Sequence, residues 1–247
     1  MLFQRPLEFL DAVETVAQAG AAALAPYWRA LDESQVTEKA RNDLVSTADR
    51  ASEDAILAEI EGRFPDHRVL SEEAGWSRRD TSGPTWVVGP LDGTANFVHG
   101  LAQFAVSVAV AVDDRVEFGV IIDPIKGDVF RAARGRGAWW NGEECRITGR
   151  EGLAGCLIAT GFPFRARHLL DPYLAIFRDV FLRCKAIRRP GAAALDLAYT
   201  ACGIFDGFFE FRLSPWDIAA GSLLVEEAGG VVTDLDGGGA YLTTGDV

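Results

Sequence analysis

The spacing of apolar residues predicts two amphipathic helices at the start of the chain. The first covers residues 6–31, where Pro6 marks the start and apolar side chains recur at helical spacing. The second begins near Asp43 and ends before Pro65, and its apolar stripe has the same period. Each helix therefore has one face suited to packing against a sheet.

Short runs of apolar and β-branched residues predict a set of strands after the second helix. They lie at about 69–70, 85–88, 104–112, 116–122 and 128–134. The third of these runs alternates small and β-branched side chains, and the polar segment Asp113-Asp114-Arg115 joins it to the fourth. This arrangement is typical of an antiparallel hairpin.

The second half of the chain alternates strands and helices. The predicted elements are a strand near 156–160, a helix at about 167–181, a strand near Ala186, a helix at 191–202, a strand at 207–211 and a helix at 217–228. This alternation indicates helices layered against sheets, a layered α/β or α+β fold. We interpret residues 1–247 as one domain, with an N-terminal lobe of about 1–150 and a C-terminal lobe of about 151–247.

The composition narrows the range of partners. Of the 247 residues, 49% are hydrophobic, which is enough for a sizeable core. The net charge is −12, so we expect no nucleic-acid partner held by a broad basic surface. The chain shows neither a signal-peptide pattern nor an apolar run long enough to cross a membrane. We therefore expect a cytoplasmic protein that makes no membrane contact.

The cysteines and histidines give little support for a zinc site. Cys145, Cys156, Cys184 and Cys202 form no C-x-x-C pair, and the chain has only three histidines. We expect reduced, mostly buried thiols, as is usual in a cytoplasm.

Residues 86–97 carry the strongest chemical signal in the chain. An apolar run ends at Gly89-Pro90, and Asp92, Gly93 and Thr94 follow at a turn. A carboxylate at the end of a strand can hold a cation, and the N–H groups that a turn exposes can hold an anion.

This stretch, WVVGPLDGTANF, resembles the first signature of the inositol monophosphatase family, W-[VI]-[VI]-D-P-[IL]-D-G-T-x-N-F. Further matches, in the order the family has them, are 43–49 with Lys39 upstream, 71–75, and 216–221 followed by 227–230. The resemblance covers essentially the whole chain. It implies a five-layer αβαβα sandwich and a lithium-sensitive phosphatase that uses two or three Mg²⁺ ions and forms a homodimer.

The resemblance implies a set of metal ligands. They are the carboxylates of Glu72, Asp92 and Asp217, together with the backbone carbonyl of Leu91. Ligands that are all oxygen suit Mg²⁺ better than zinc. Taken alone, Asp217 would more often be a helix N-cap, but the four matching motifs favour the metal role.

The resemblance also implies the contacts that carry catalysis. Thr94 and Glu72 would orient a water molecule for attack on phosphorus, and Asp43 would lie close to them. The N–H groups of Gly93, Thr94 and Ala95 would bind the phosphate oxygens. From the residues alone, Thr94 also fits a helix N-cap, and Gly93 also fits a plain turn.

The resemblance assigns the remaining contacts to substrate and supporting residues. The substrate would contact Glu210 and Asp217, together with the backbone of Gly191, Ala192 and Ala193. Alone, Glu210 also fits a single polar residue on an exposed sheet face. Lys39 and Asp43 would hold waters or orient ligands near the ions, whereas Asp49 is expected only to cap or solvate a helix.

The substrate remains open among several classes. Segment 188–203 resembles the pattern G-S-A-A-L-D-L-A-Y of bacterial inositol phosphatases, which favours a polyol or sugar monophosphate. Fructose 1,6-bisphosphate, histidinol phosphate and a nucleotide 3′-phosphate are alternatives. Arg212 stands where the family residue is usually small. A non-catalytic regulatory protein is the alternative from another class, because some bacterial relatives engage the transcription machinery.

The chain departs from the family at one ligand. Gly89 stands where the family has an Asp that contacts two of the ions. We hypothesise that an ion held by Glu72, Asp92 and the Leu91 carbonyl persists, while one held by Asp92 and Asp217 is weak. The protein would then be an impaired phosphatase. Members of the family usually continue past the position of Val247 through a further strand and a terminal helix.

Overall fold

The computed structural model describes residues 5–40, 43–77 and 83–247, without the side chains of Glu33, Lys39, Ala40 and Asp43. Two helices, α1 (Pro6–Leu24) and α2 (Thr47–Arg63), form the first layer. The predicted helix over 6–31 is too long, since regular α-helix ends at Leu24 and a 3₁₀ turn follows over Ala25–Tyr27. Pro26 explains the end, because its ring blocks continuation of the helix.

The second helix also begins later than predicted. Residues near Asp43 belong instead to strand β2 (Asp43–Ser46), which pairs antiparallel with β1 (Val36–Ala40). Ser46 then caps α2, and Asp49 accepts a hydrogen bond of 2.8 Å from the Ser46 N–H. This capping box fixes the helix start, because it satisfies backbone N–H groups that have no partner within the helix.

An eight-stranded sheet forms the second layer. Its strands are β3 (Arg68–Ser71), β4 (Gly75–Ser77), β5 (Thr85–Asp92), β6 (Ala105–Val112), β7 (Arg115–Asp123), β8 (Asp128–Ala133), β9 (Gly137–Trp140) and β10 (Glu143–Glu144), with the short helix α3 (Thr94–Val98) after β5. They are ordered β10-β9-β8-β7-β6-β5-β3-β4, and β3 and β5 are parallel. The predicted β6–β7 hairpin is confirmed; Asp113 and Asp114, with φ of 50° and 61°, form its turn.

The remaining elements complete three more layers. They are β11 (Leu157–Thr160), α4 (Leu170–Arg183), β12 (Ala186–Arg188), α5 (Ala193–Ala201), β13 (Gly207–Phe209), α6 (Pro215–Glu227) and α7 (Tyr241–Thr244). The pair α5 and α6 packs on the large sheet, and the parallel sheet β12-β11-β13 packs on α5. Tyr173 of α4 lies on the far side of that small sheet, 5.8 Å from the ring of Phe209.

The layers are therefore helix, sheet, helix, sheet and helix, and the predicted αβαβα sandwich is confirmed. Two apolar cores lie on opposite faces of the large sheet, one beneath α1 and α2 and the other beneath α5 and α6. In the described part of the chain, no helix is both long and apolar enough to span a bilayer. The division into two lobes near residue 150 stays a prediction.

The expectation of reduced thiols is wrong for two of the cysteines. Cys145, just after β10, and Cys202, at the end of α5, form a disulfide with their Cα atoms 4.5 Å apart. Cys156 and Cys184 are free, and Cys156 is buried. Spacing along the sequence could not reveal this bond, because 57 residues separate the two partners.

Candidate functional site

The end of β5 is the centre of the site. The strand ends at Asp92, the chain turns at Gly93 with φ of +90°, and α3 begins at Thr94. A Cβ atom at Gly93 would lie 2.9 Å from the carbonyl oxygen of Gln103. Glycine is therefore required here both by the left-handed backbone and by the close approach of the neighbouring chain.

A cavity of about 530 Å³ opens beside this turn. The predicted site residues that line it are Glu72, Leu91, Asp92, Gly93, Thr94, Ala95, Gly191, Ala193, Glu210 and Asp217. Ala192 is buried and lies outside this lining. The side chains of Lys39 and Asp43 lie outside the described residues, so their expected roles stay predictions.

Other negatively charged side chains act on the carboxylate of Asp92. Its Oδ2 accepts a hydrogen bond of 2.7 Å from the backbone N–H of Ala194, in the first turn of α5. Burial raises the pKa of Asp92 well above its ordinary value, and Asp217, Glu210 and Glu72 raise it further, against the hydrogen bond from Ala194. A cation in this position would relieve the repulsion.

Asp217 reaches the cavity from the start of α6. It is the third residue of that helix, and its Oδ2 accepts a hydrogen bond of 2.8 Å from the N–H of Ser214. The side chain is buried, so the helix holds the carboxylate in a fixed position. Ser214, and not Asp217, is the N-cap of α6; Asp217 completes its capping box from the third helical position and lines the cavity.

The hydroxyl of Thr94 is hydrogen-bonded to Asp49, for which the sequence predicted only a role in capping or solvating a helix. This hydroxyl donates to Asp49 Oδ1 at 2.8 Å and lies 3.1 Å from the Leu91 carbonyl oxygen. Asp49 is fully buried, and its other oxygen accepts from Ser46. Asp49 therefore caps α2 and orients Thr94 at the same time. The signal for this contact was the motif 43–49, in which Asp49 ends the matched run.

Glu72 follows β3 and lines the same cavity. Its backbone N–H donates to the carbonyl of Val88 at 3.1 Å, which ties it to the neighbouring strand β5. The proposed cooperation of Glu72 with Thr94 stays a prediction.

Glu210 lies just after β13 and lines the same cavity. Its carboxylate covers Gly161 so closely that a side chain at that position would collide with it. Burial raises the pKa of Glu210 to about 8, and Asp217 adds to the rise, while Arg189 and Arg165 oppose it. The alternative that Glu210 is a single polar residue on an exposed sheet face is therefore excluded.

Asp196 is a buried carboxyl that sequence reasoning did not single out. It lies on α5, two residues after Ala194, and neither of its carboxylate oxygens has a hydrogen-bond partner among the described residues. Burial raises the pKa of Asp196 to about 9, and the charges of Asp92 and Glu210 contribute, against Arg189. A buried carboxyl of this kind is favoured in its neutral form.

Cationic and aromatic residues line the cavity as well. Arg165, Arg189 and Arg212 are among them, with Phe162 and Phe164. Of these, the sequence had singled out only Arg212. The others come from loops that follow β11 and β12, and no pattern along the chain indicates that these loops meet the carboxylates.

The donors suit Mg²⁺, although they do not form a complete cage. Among the residues that the structure describes, no three Asp, Glu, His or Cys side chains converge to hold one ion. Mg²⁺ does not need three protein side chains, because it usually keeps several waters and is bound through one or two carboxylates and the phosphates of the substrate. Oxygen donors and the repulsion at Asp92 therefore fit this ion.

The position of Gly89 shows which part of the site an Asp side chain at this residue would approach. Gly89 pairs with Ser107 of β6, and a Cβ atom there would lie 3.3 Å from the carbonyl oxygen of Trp216 and 3.6 Å from Ser107 Cβ. A side chain would thus point toward the start of α6, next to Asp217. A Cβ atom here requires the Trp216 carbonyl to move by a few tenths of an ångström.

The fold and the cavity together define a layered α/β protein with a cleft lined by carboxylates and arginines. The model of the inositol monophosphatase family matches residues 6–247. The chain is 47% identical to the protein named Nus factor SuhB of Pseudomonas aeruginosa over 221 residues, which is 88% of this chain and 82% of that relative.

Two solved structures show the same similarity in three dimensions. The extragenic suppressor protein suhB of Bartonella henselae has a TM-score of 0.93 and 39% identity, covering 97% of this chain and 92% of the other. The inositol monophosphatase of Anabaena (Nostoc) sp. PCC 7120 has a TM-score of 0.86 and 36% identity, covering 98% and 90%. The chain belongs to the inositol monophosphatase family.

Proposed function

We propose that this protein is a Mg²⁺-dependent phosphomonoesterase that hydrolyses inositol monophosphate or a related polyol or sugar phosphate. The observation that carries the proposal is the meeting of Glu72, Asp92, Thr94, Glu210 and Asp217 around one cavity, although they are spread over the chain. Acidic residues that raise one another's pKa are retained where they bind a cation or take part in catalysis.

Each group has a distinct role in this proposal. Glu72, Asp92, Asp217 and the Leu91 carbonyl would hold Mg²⁺. When bound, the ions would supply charge neutralisation of the phosphate and make water a better nucleophile near neutral pH. Thr94, oriented by Asp49, would position the attacking water together with Glu72.

The remaining contacts would bind the ester. The backbone N–H groups of Gly93, Thr94 and Ala95 would bind phosphate oxygens at the start of α3. Glu210 would accept or donate a hydrogen bond to a hydroxyl of the alcohol, beside the backbone of Gly191 and Ala193. Lys39 and Asp43 are proposed to orient ligands and waters around the ions.

We propose that Gly89 impairs this activity, and the test is restoration of the carboxylate. Gly89→Asp should increase phosphate release from inositol 1-phosphate at least about 10-fold at limiting Mg²⁺, as loss of supporting ligand contacts costs about that much. Gly89→Asn is the matched control, because it has nearly the same volume and no charge. The assay is phosphate release across a Mg²⁺ titration, with Mn²⁺ binding measured in parallel by electron paramagnetic resonance.

The outcomes separate the explanations. Equal activity of the parent and Gly89→Asp would show that another group replaces the missing ligand. If neither protein hydrolyses any of the candidate esters while Gly89→Asp binds Mn²⁺ more tightly, the phosphatase assignment fails and the metal assignment stands.

A regulatory role is the second candidate function. The relative from Pseudomonas aeruginosa carries the name Nus factor SuhB, and residue 89 offers a physical reason for weak catalysis. An assay of binding to the transcription machinery tests this role. Binding that persists in Asp92→Asn, a change that should abolish hydrolysis, would show that the role does not need the catalytic site.

Other family properties belong to the same proposal. We propose a cytoplasmic, lithium-sensitive homodimer. Support for a dimer comes from α4, where Leu170, Leu174, Phe181 and Leu182 are exposed. An apolar helix face of this kind is typical of a protein interface.

A further inference from the structure

Two segments that meet at the cavity are tied together by one amide side chain. The first, residues 93–95, carries the N–H groups proposed to bind phosphate, and we call it the phosphate turn. The second, residues 190–194, carries the backbone proposed to contact the alcohol part of the ester and leads into α5, and we call it the alcohol loop. Asn96 directly follows the phosphate turn, as the third residue of α3, and lies outside the cavity lining. It can therefore act on a substrate only through the segments that it holds.

The amide nitrogen of Asn96 donates to three backbone carbonyls. Nδ2 lies 2.7 Å from the oxygen of Gln103, 3.0 Å from that of Pro190 and 3.2 Å from that of Gly191. Because carbonyl oxygens only accept hydrogen bonds, the nitrogen of the amide and not its oxygen must face them. Removal of the amide would leave these partly buried acceptors without this donor, which is costly. One side chain of α3 thus holds two carbonyls of the alcohol loop.

The alcohol loop is shaped to receive this amide. Gly191 has φ of +91°, in the left-handed region that favours glycine, and a Cβ atom there would lie 3.2 Å from Asn96 Nδ2. Glycine therefore lets the amide approach the loop backbone closely. The phosphate turn itself also touches this loop, because a Cβ atom at Gly93 would lie 3.3 Å from the Cβ atom of Ala192. The two segments are thus packed directly against each other.

The same contact extends to a proposed metal ligand. Asp92 precedes the phosphate turn, and its Oδ2 accepts a hydrogen bond of 2.7 Å from the N–H of Ala194, at the end of the alcohol loop. The position of this carboxylate therefore depends on the position of the loop. Loss of the Asn96 amide would let the loop move relative to the phosphate turn and to Asp92 together.

We propose that Asn96 is a positioning residue that fixes the alcohol loop against the phosphate turn, so that an ester is bound by both at once. The inference rests on the proposed phosphatase function and adds to it a residue that does not touch the substrate. Inorganic phosphate needs only the phosphate turn and its ions, whereas inositol 1-phosphate must reach both segments. Because a misplacement of about 1 Å can cost about 100-fold in activity, the ester should depend on Asn96 much more than phosphate does.

The experiment compares these two ligands on the full chain. Isothermal titration calorimetry in Mg²⁺ buffer gives the affinities for inorganic phosphate and inositol 1-phosphate; Gly89 is retained, since it is proposed to slow hydrolysis during the titration. Asn96→Ala should lower the affinity for the ester at least about 10-fold and that for phosphate less than about 3-fold, so their ratio falls. A side chain that only stabilised the fold would leave the ratio unchanged, because a smaller folded fraction affects both ligands equally.

Two further variants separate the amide contact from a general loss of stability. Asn96→Ser keeps a shorter donor, so its ratio should lie between those of the parent and Asn96→Ala, and it carries the test if the alanine variant does not fold. Asn141→Ala is the matched control. Asn141 accepts from the N–H of Val129 at 2.8 Å and donates to Asp128 at 3.1 Å, outside the cavity lining. Its replacement should lower the free energy of unfolding and leave the ratio as it is.

Hydrogen exchange tests the same contact without any ligand. Mass spectrometry of peptides that cover residues 188–196 should show exchange at least about 3-fold faster in Asn96→Ala than in the parent, because the loop is held less firmly. Asn141→Ala should leave the exchange of this segment unchanged. The comparison does not depend on hydrolysis or on bound ions.

The outcomes distinguish this inference from the proposed function. A ratio that stays at the parent value in Asn96→Ala and Asn96→Ser would overturn the positioning role, and so would unchanged exchange of residues 188–196. Hydrolysis by Gly89→Asp with an unchanged ratio would reject the role of Asn96 alone. An Asn96-dependent ratio without hydrolysis, even in Gly89→Asp, would retain the positioning role and reject the phosphatase. Failure of both ligands to bind the parent and Gly89→Asp would reject both.

Discussion

At the scale of single residues, the site is organised by side chains that have two roles. Asp49 caps α2 with one carboxylate oxygen and accepts a hydrogen bond from Thr94 with the other. Asp217 completes the capping box of α6 and lines the cavity. A carboxylate that is fixed by a helix start loses little further entropy when a ligand binds. The caps therefore orient the candidate catalytic groups before any ligand is present.

Asp196 gives a prediction about the effect of pH on stability. Its ordinary pKa is 3.8 and its pKa in the folded protein is about 9, so the folded protein keeps a proton that the unfolded chain releases between these values. Stability is therefore greatest below the lower value and decreases as the pH rises toward the higher one, by up to about 1.4 kcal/mol per pH unit. Asp196→Asn should remove this decrease.

The measurement is urea unfolding of both proteins from pH 5 to pH 8 in metal-free buffer. The free energy of unfolding of the parent should fall relative to that of Asp196→Asn across the range. Asp179→Asn, at an exposed position of α4, should parallel the parent. Parallel curves for Asp196→Asn and the parent would contradict a neutral Asp196.

At the scale of elements, α6 is held close to its neighbours by small residues. A Cβ atom at Gly119 of β7 would lie 2.9 Å from the Cα atom of Ala220, and one at Gly221 would lie 2.5 Å from Cβ of Leu197 on α5. The start of α6 carries Asp217, and the start of α5 carries the N–H that binds Asp92. Close packing of these two helices thus sets the distance between two carboxylates of the site.

Two glycine-to-alanine changes in helices separate packing from helix propensity. Gly221→Ala should lower the free energy of unfolding by about 1–3 kcal/mol, because the methyl group overlaps Leu197. Gly62→Ala, in α2, should raise it by up to about 1 kcal/mol, because a Cβ atom there meets nothing within 4 Å and alanine favours helix. Urea unfolding measures both. Equal effects of the two changes would show that α6 does not depend on this contact.

At the scale of the whole molecule, one covalent bond connects two layers. The disulfide joins Cys145, at the edge of the large sheet, to Cys202, at the end of α5. A bond between segments 57 residues apart restricts the unfolded chain much more than the folded one. It therefore supports the packing of the inner helices, and with it the cavity, on the large sheet.

Removal of this bond should be costly. Replacing both Cys145 and Cys202 with alanine should lower the free energy of unfolding by about 4 kcal/mol under oxidising conditions, from the entropy of the closed loop. The double replacement of the free Cys156 and Cys184 is the control and should have a much smaller effect. Alkylation of the denatured, unreduced protein should count two thiols. A count of four would show that the bond is absent.

The sequence by itself determined the family and the type and order of the long elements, but not the bounds of the first two helices. Alternation along β6 and β7 and the polar turn between them predict the hairpin, because strand periodicity and turn chemistry are local properties. Short elements such as β4 and β10 were missed, since two or three residues carry no readable period. The motif spacing also named the carboxylates, because the family fixes their order along the chain.

Only the tertiary structure decided which of these residues meet. The bond between Thr94 and Asp49 and the cavity that Arg189 shares with Glu210 join segments apart in sequence, and the burial of Asp196 depends on the same packing. The disulfide does the same. Such contacts depend on how the layers stack, which is a property of the whole packed chain and not of any local pattern.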